Sequence, residues 1–229
     1  MDILQENEVL DDLQLNGLYI IQNKKDYRFT SDSVLLSNFV KVGRKDSVVE
    51  FCSGSGVISI LINEKYKPKN IIGFEIQPYL CDMSNRTVEY NKIKNVKFVN
   101  IDLSKAVEVV GREKVDVLVC NPPYFEPIQN FNEVNEKYKI TKYETLTNLN
   151  DIFKSAEKIV RFGGKFFMVH ISNRVQEIMY LAQKYNFLCK ELQLIYANNN
   201  KETSHLALFY FTKKGKSGCK VLKPLVLNN

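Results

Sequence analysis

Between Ser47 and Cys120 the chain carries four short apolar runs rich in β-branched residues, spaced by segments of helical length. The runs are Ser47–Phe51, Ile71–Glu75, Val96–Asn100 and Val115–Cys120. Runs of this kind, alternating with helices, predict parallel strands buried on both faces. A chain built this way folds as an α/β sheet, and in open α/β sheets ligands bind outside the carboxyl ends of the strands. The residues that follow each run are therefore the first candidates for function.

The first run is followed by Cys52-Ser53-Gly54-Ser55-Gly56, and a helix is expected from Val57. Glycines there let the backbone approach a ligand where a Cβ would clash. The spacing is G-x-G, without the third glycine of the dinucleotide fingerprint. The second run ends in Glu75, nineteen residues after Gly56. An acid at that distance is placed to accept hydrogen bonds from ribose hydroxyls. The third run closes on Ile101-Asp102-Leu103, where a carboxylate can accept from an adenine amine. The fourth delivers Asn121-Pro122-Pro123-Tyr124. Proline cannot continue a strand, so the chain leaves the sheet at Asn121. An amide oxygen and a carbonyl can accept two hydrogen bonds from one –NH2 group, and a tyrosine ring can stack on a planar base or amide. The constellation suits a planar substrate with an exocyclic amine.

Outside this unit the signals are more local. Asn16-Gly17 predicts a hairpin within residues 13–23. Lys24-Lys25-Asp26-Tyr27-Arg28-Phe29 mixes basic and aromatic residues, which suits phosphates and bases as well as it suits a solvated loop. Thr30-Ser31-Asp32-Ser33 before an apolar run predicts a helix N-cap. Residues 125–143 have weak periodicity and are expected to form a mobile substrate loop. A helix over Leu149–Val160 is expected to end at Gly163-Gly164, before a fifth strand that finishes at His170. That histidine is expected to be structural and satisfied, with a catalytic role as the alternative. A helix over 173–185 and an antiparallel hairpin of Leu192–Ala197 with His205–Thr212 complete the pattern, and the basic tail from Lys213 is expected to be solvated or to touch RNA.

The net charge of +6 permits a nucleic-acid partner. Five scattered cysteines with no C-x-x-C, and two histidines, give no metal-site spacing and no disulfide framework, which fits a reducing cytoplasm. No apolar run is long enough to span a membrane, and the acidic N-terminus does not resemble a signal peptide. The expected organisation is an N-terminal hairpin-and-helix extension over residues 1–45 and one compact domain over 46–229.

The motifs together resemble the S-adenosylmethionine-dependent amino-methyltransferases. Asn121-Pro122-Pro123-Tyr124 matches their (N/D)-P-P-(Y/F) motif, and Phe51–Gly56 their first motif. Phe29-Thr30-Ser31-Asp32-Ser33-Val34-Leu35-Leu36 is similar to the segment before that motif in the bacterial tRNA1(Val) adenine-37-N6 methyltransferase family. The resemblance covers roughly residues 13–225. It implies a Rossmann-like class I methyltransferase fold, a mostly parallel seven-stranded sheet with a C-terminal antiparallel hairpin. It implies S-adenosyl-L-methionine as cofactor, held by Phe51, Ser53, Gly54, Gly56, Glu75, Ile76, Asp102, Leu103 and Asn121. It implies tRNA as partner, with catalysis by Asn121, Pro122, Pro123 and Tyr124 and RNA contacts at Lys24, Lys25, Tyr27, Arg28 and Lys142. Two departures stand out. The usual Asp-Leu-Gly of the first motif is replaced around Ser53, and Lys142-Tyr143-Glu144 has lysine where the family has arginine. A protein glutamine methyltransferase uses the same motif but carries a helical N-terminal domain, and only about 46 residues precede the first strand here. A DNA adenine methyltransferase needs a target-recognition region. A cofactor-binding RNA chaperone would not need the intact Asn121–Tyr124.

Overall fold

The computed structural model describes residues 3–25, 28–125, 144 and 146–228. Its centre is one nine-stranded sheet. The strands are β3 (Ser47–Phe51), β4 (Asn70–Glu75), β5 (Val96–Asn100), β6 (Val115–Cys120), β7 (Val160–Ile171), β8 (Phe187–Asn198), β9 (Leu206–Lys213), β10 (Lys220–Val221) and β11 (Leu225–Asn228). Their order is β10-β8-β9-β7-β6-β3-β4-β5, with β11 also paired to β8. From β5 to β7 all neighbours are parallel, while β9 runs antiparallel to both β7 and β8. The chain moves outward from β3 to β5 and then returns to lay β6 on the other side of β3. The carboxyl ends of β3 and β6 are thus a topological switch point, the position where such sheets bind ligands.

Side-chain alternation builds a core on each face. Val48, Val117, Val119, Phe167 and Val169 pack under α1 (Ser31–Phe39), α2 (Val57–Tyr66) and α3 (Pro78–Tyr90). Val49, Leu118, Cys120, Phe166 and Met168 pack under α4 (Ala106–Val110), α5 (Leu149–Ile159) and α6 (Val175–Lys184). The second core is rich in phenylalanine. The Phe153 ring meets Phe166, Phe187 and Phe211 at 5.4, 6.2 and 5.7 Å, pairs worth about 0.5–1.5 kcal/mol each beyond area burial.

Several elements differ from the sequence expectation. The N-terminal hairpin is β1 (Glu8–Asp12) with β2 (Tyr19–Asn23), so its first strand lies upstream of the expected 13–23 stretch. The acidic run hides that strand because its charges are met elsewhere in the fold. Glu8 takes both terminal nitrogens of Arg86, and Asp11 pairs with Arg28 at 2.8 Å. Ile21 then packs with Leu80 and Met83 of α3. Gly163-Gly164 does not end a helix, since α5 stops at Ile159 and both glycines lie within β7. The β6–β7 register shifts there, and a Cβ on Gly164 would meet Val160 at 2.6 Å. The sheet gains two strands over the expected seven because part of the basic tail pairs along β8. Lys213 is not solvated either: it is 1% exposed and donates to Glu113 at 2.8 Å and to the Val160 carbonyl at 2.9 Å.

Candidate active site

An open cleft with about 650 Å3 of empty space lies at the carboxyl ends of β3 to β6. Of the residues expected to hold a cofactor, Gly54, Glu75, Ile76, Asp102, Leu103 and Asn121 line it. Phe51, Ser53 and Gly56 do not. The Phe51 side chain is fully buried and packs on Phe74 at 6.0 Å. Ser53 is 5% exposed, and its amide donates to the Phe74 carbonyl. Gly56 caps α2 with φ +78°, and a Cβ there would meet the Phe98 ring at 2.4 Å. That glycine makes room for the core as well as for the turn. Cys52 and Ile101, which lie within the marked stretches but carry no expected role, also line the cleft, as do Gln77, Leu146 and Thr147, which no sequence motif marked.

The turn after β3 is left-handed at Cys52, Gly54 and Gly56, with φ of 55°, 53° and 78°. Left-handed backbone favours glycine. The departure from Asp-Leu-Gly therefore falls on Cys52 rather than on Ser53. A side chain held in that region costs about 1–3 kcal/mol.

Glu75 is 5% exposed and is fixed by the backbone. One carboxylate oxygen accepts from the Gly54 amide at 2.8 Å, and the other from the Gln77 amide at 2.9 Å. Burial pushes its pKa up, and these bonds pull it back only in part. A carboxylate has about four acceptor positions, so half remain for a ligand. The Gln77 Oε1 beside it is buried with no partner among the described residues. A ribose diol and its surroundings would supply donors to such a wall. Asp102 starts a short 3-10 turn and accepts from the Ser104 amide at 2.8 Å.

The other wall is built from Asn121–Tyr124. Pro122 and Pro123 are buried and hold the backbone that carries Asn121 and Tyr124. The Asn121 amide nitrogen donates to Ser33 Oγ at 3.1 Å. The Tyr124 hydroxyl lies 2.7 Å from Asn121 Oδ1 and 3.0 Å from Asp32 Oδ2. Asp32 and Ser33 were expected to cap α1. The N-cap residue Thr30 instead makes no side-chain capping bond, and Asp32 and Ser33 reach across to the β6 end.

His170 lies behind Tyr124, with ring centroids 5.0 Å apart. It is fully buried, yet neither ring nitrogen meets a hydrogen-bond partner among the described residues, against the expectation of a satisfied histidine. Burial, with the Arg174 charge second, pushes its pKa down to about 4. It is neutral at pH 7 and backs the tyrosine ring. Arg174 donates to Glu144 at 2.5 Å and to Glu177 at 2.8 Å, and reaches the Tyr124 carbonyl at 3.5 Å. The part-buried pair with Glu144 ties that residue to the site.

Lys24 and Lys25 are exposed. Arg28 is ion-paired to Asp11 with its side chain 56% exposed, three residues before α1. Tyr27 and Lys142, and residues 126–143 of the expected substrate loop, lie outside the described residues.

The family model of the methyltransferase small domain matches residues 28–191. Among curated proteins, one from Methanocaldococcus jannaschii named as a protein N5-glutamine methyltransferase is 34% identical over 113 residues, 49% of this chain and 54% of that one. The tRNA1(Val) (adenine(37)-N6)-methyltransferase of Yersinia enterocolitica is 24% identical over 75% of this chain and 68% of its own. That of Haemophilus influenzae is 22% identical over 63% and 62%. The chain thus spans 54%, 23% and 62% of the length of the first three curated relatives. Among solved structures, a predicted O-methyltransferase from Agrobacterium tumefaciens superposes with TM-score 0.68 at 18% identity, over 85% of this chain and 86% of that one. TYW2 from M. jannaschii, solved with AdoMet, gives 0.59 at 13% identity over 92% and 88%. These two likenesses are likenesses of fold.

Proposed function

The chain belongs to the methyltransferase small domain family, and we propose that it methylates the exocyclic N6 of an adenosine in tRNA, at position 37 beside the anticodon. Its cofactor is S-adenosylmethionine. What carries the reading is one juxtaposition: the Asn121 amide shares a cleft with Glu75 and Asp102. The relatives named as tRNA adenine-N6 methyltransferases support it, and so does the net charge of +6.

Glu75 would take the ribose hydroxyls with the acceptor positions that Gly54 and Gln77 leave open, Asp102 would accept from the adenine amine of the cofactor, and Gly54 would leave room for its methionine portion. Bound there, the cofactor supplies an electrophilic methyl group on a sulfonium. The remaining work belongs to the protein. The target base is turned out of its stack into the cleft. Tyr124 stacks on it, held from behind by His170. Asn121 Oδ1 and the Pro122 carbonyl accept from the target –NH2. That nitrogen is a poor nucleophile, because its lone pair is delocalised into the ring. Two fixed acceptors favour a pyramidal nitrogen and stabilise the positive charge that grows on it during attack. Positioning supplies much of the remaining rate. Lys24, Lys25 and Arg28 meet the RNA backbone beside α1.

A glutamine side chain presents a planar –NH2 as well, and the relative from M. jannaschii gives that reading a specific basis. One experiment separates the two. The purified chain is incubated with methyl-labelled S-adenosylmethionine and, in turn, unmodified tRNA, duplex DNA and a glutamine peptide from a release factor. N6-methyladenosine in the tRNA is the expected product. Label in the peptide or the DNA, with none in the tRNA, overturns the substrate and keeps the cofactor.

A further inference from the structure

One phenol proton stands between two acceptors in this site. The Tyr124 hydroxyl is 2.7 Å from Asn121 Oδ1 and 3.0 Å from Asp32 Oδ2, and it can donate to only one of them at a time. In the shorter arrangement the phenol donates to Asn121 Oδ1, the same oxygen proposed to accept from the target amine. We infer that Asp32 is the residue that clears this oxygen: when the amine enters, the Tyr124 hydroxyl turns its proton to Asp32. The inference rests on the proposed transfer to a planar amine.

The physical case has three parts. An oxygen that shares its electron density between two donors stabilises positive charge on the target nitrogen less well, and that stabilisation is the task of Asn121. A carboxylate is the stronger acceptor, since charge-assisted hydrogen bonds are roughly twice as strong as neutral ones. Asp32 also stands in the first turn of α1, the end of a helix at which acidic side chains are favourably placed. The neighbouring contact keeps the exchange in register. Ser33, 2% exposed, accepts from the Asn121 amide nitrogen and so holds Oδ1 toward the phenol. The chain that leads into α1 is fixed as well: the Phe29 amide donates to the buried Gln22 side chain at 3.1 Å, and Gln22 donates in turn to Asp11.

Asp32 is thus a positioning residue that acts through Tyr124, and a double-mutant cycle tests it. Asp32→Ala leaves the phenol on Asn121 and should slow single-turnover methyl transfer by about five- to tenfold, the scale of one hydrogen bond. Cofactor affinity measured by calorimetry should not move. Tyr124→Phe keeps the stacking ring and removes the masking proton. In that background Asp32→Ala should cost nothing further. An equal loss in both backgrounds would mean that Asp32 merely supports the fold, and would overturn the inference. Asp32→Asn, isosteric with the native residue, repeats the cycle should the alanine variant melt early. A second readout needs no activity. The ultraviolet difference titration of wild type against Tyr124→Phe reports the Tyr124 phenol, which should ionise at lower pH once Asp32 is gone. An unchanged titration would remove the contact. Wild-type protein that labels neither tRNA, DNA nor glutamine peptide would refute the proposed function instead, and the phenol titration would still decide the role of Asp32.

Discussion

The two walls of the cleft are built in different ways. On the cofactor wall each carboxylate is fixed by nearby backbone: Asp102 by Ser104 two residues on, Glu75 by Gln77 two residues on and by Gly54 twenty-one back. On the target wall Asn121 and Tyr124 are held by Ser33 and Asp32, 88 and 92 residues earlier. Two consecutive βαβ units, β3-α2-β4 and β4-α3-β5, complete the first wall. The second needs α1 to be docked correctly on the sheet, and so depends on the N-terminal segment. A perturbation at the N-terminus should therefore reach the target chemistry and leave the cofactor in place.

The strongest test of that division is Asn121→Ala. It should lower the single-turnover rate by about 10²- to 10³-fold, as loss of a charge-stabilising group does. Calorimetry should find S-adenosylmethionine bound as tightly as before. An equal loss of cofactor affinity would break the comparison, because the two walls would then be one.

Beneath the cofactor wall, Glu50 is 1% exposed, with one oxygen bonded to Ser59 and the other without a partner among the described residues. Burial raises its pKa from 4.5 to about 8. A raised folded pKa means the native state holds the proton more tightly than the unfolded chain. Its contribution is complete below pH 4.5 and is lost as pH rises toward 8. Glu50→Gln should remove that part of the pH dependence, a few kcal/mol across the window on the scale of about 1.4 kcal/mol per pKa unit. Urea unfolding at several pH values between 5 and 8 measures it, and identical slopes for both proteins would reject the buried-charge account. Glu75→Gln should act more gently. It should weaken cofactor binding by about 1–3 kcal/mol, with the rate at saturating cofactor nearly intact. A lost rate at saturation would place Glu75 in the target chemistry.

The same contrast explains what the sequence made legible. The residues proposed for the site at the ends of β3 to β6 are set by local spacing, so Gly54, Glu75, Asp102 and Asn121 are visible from the apolar runs that precede them. Asp32 and Ser33 looked like a helix cap because Ser/Asp before an apolar run usually is one. No local pattern tells a side chain that caps its own helix from one that reaches another element. The β1 strand was hidden because its neutralising partners, Arg28 and Arg86, lie 17 and 78 residues away from Asp11 and Glu8. The same holds for Gly163-Gly164. A glycine pair after a helix normally ends it, and only the pairing of β7 with β6 shows that it serves a register shift.

The smallest effect is also the most pointed, because it touches neither ligand. Ser33 Oγ is the partner the structure gives the Asn121 amide nitrogen. Ser33→Ala leaves that nitrogen unpaired in a part-buried position, at a cost of about 1 kcal/mol. A planar amide relieves this by rotation, which exchanges its oxygen and nitrogen and turns a donor toward the target amine. The turnover number should fall by about fivefold, with the KM for tRNA and the Kd for cofactor unchanged, since only the orientation needed in the transition state is lost. A rise in KM alone would instead make Ser33 a binding contact. No change at all would mean that Asn121 is oriented by its own turn, and the target wall would then be as local as the cofactor wall.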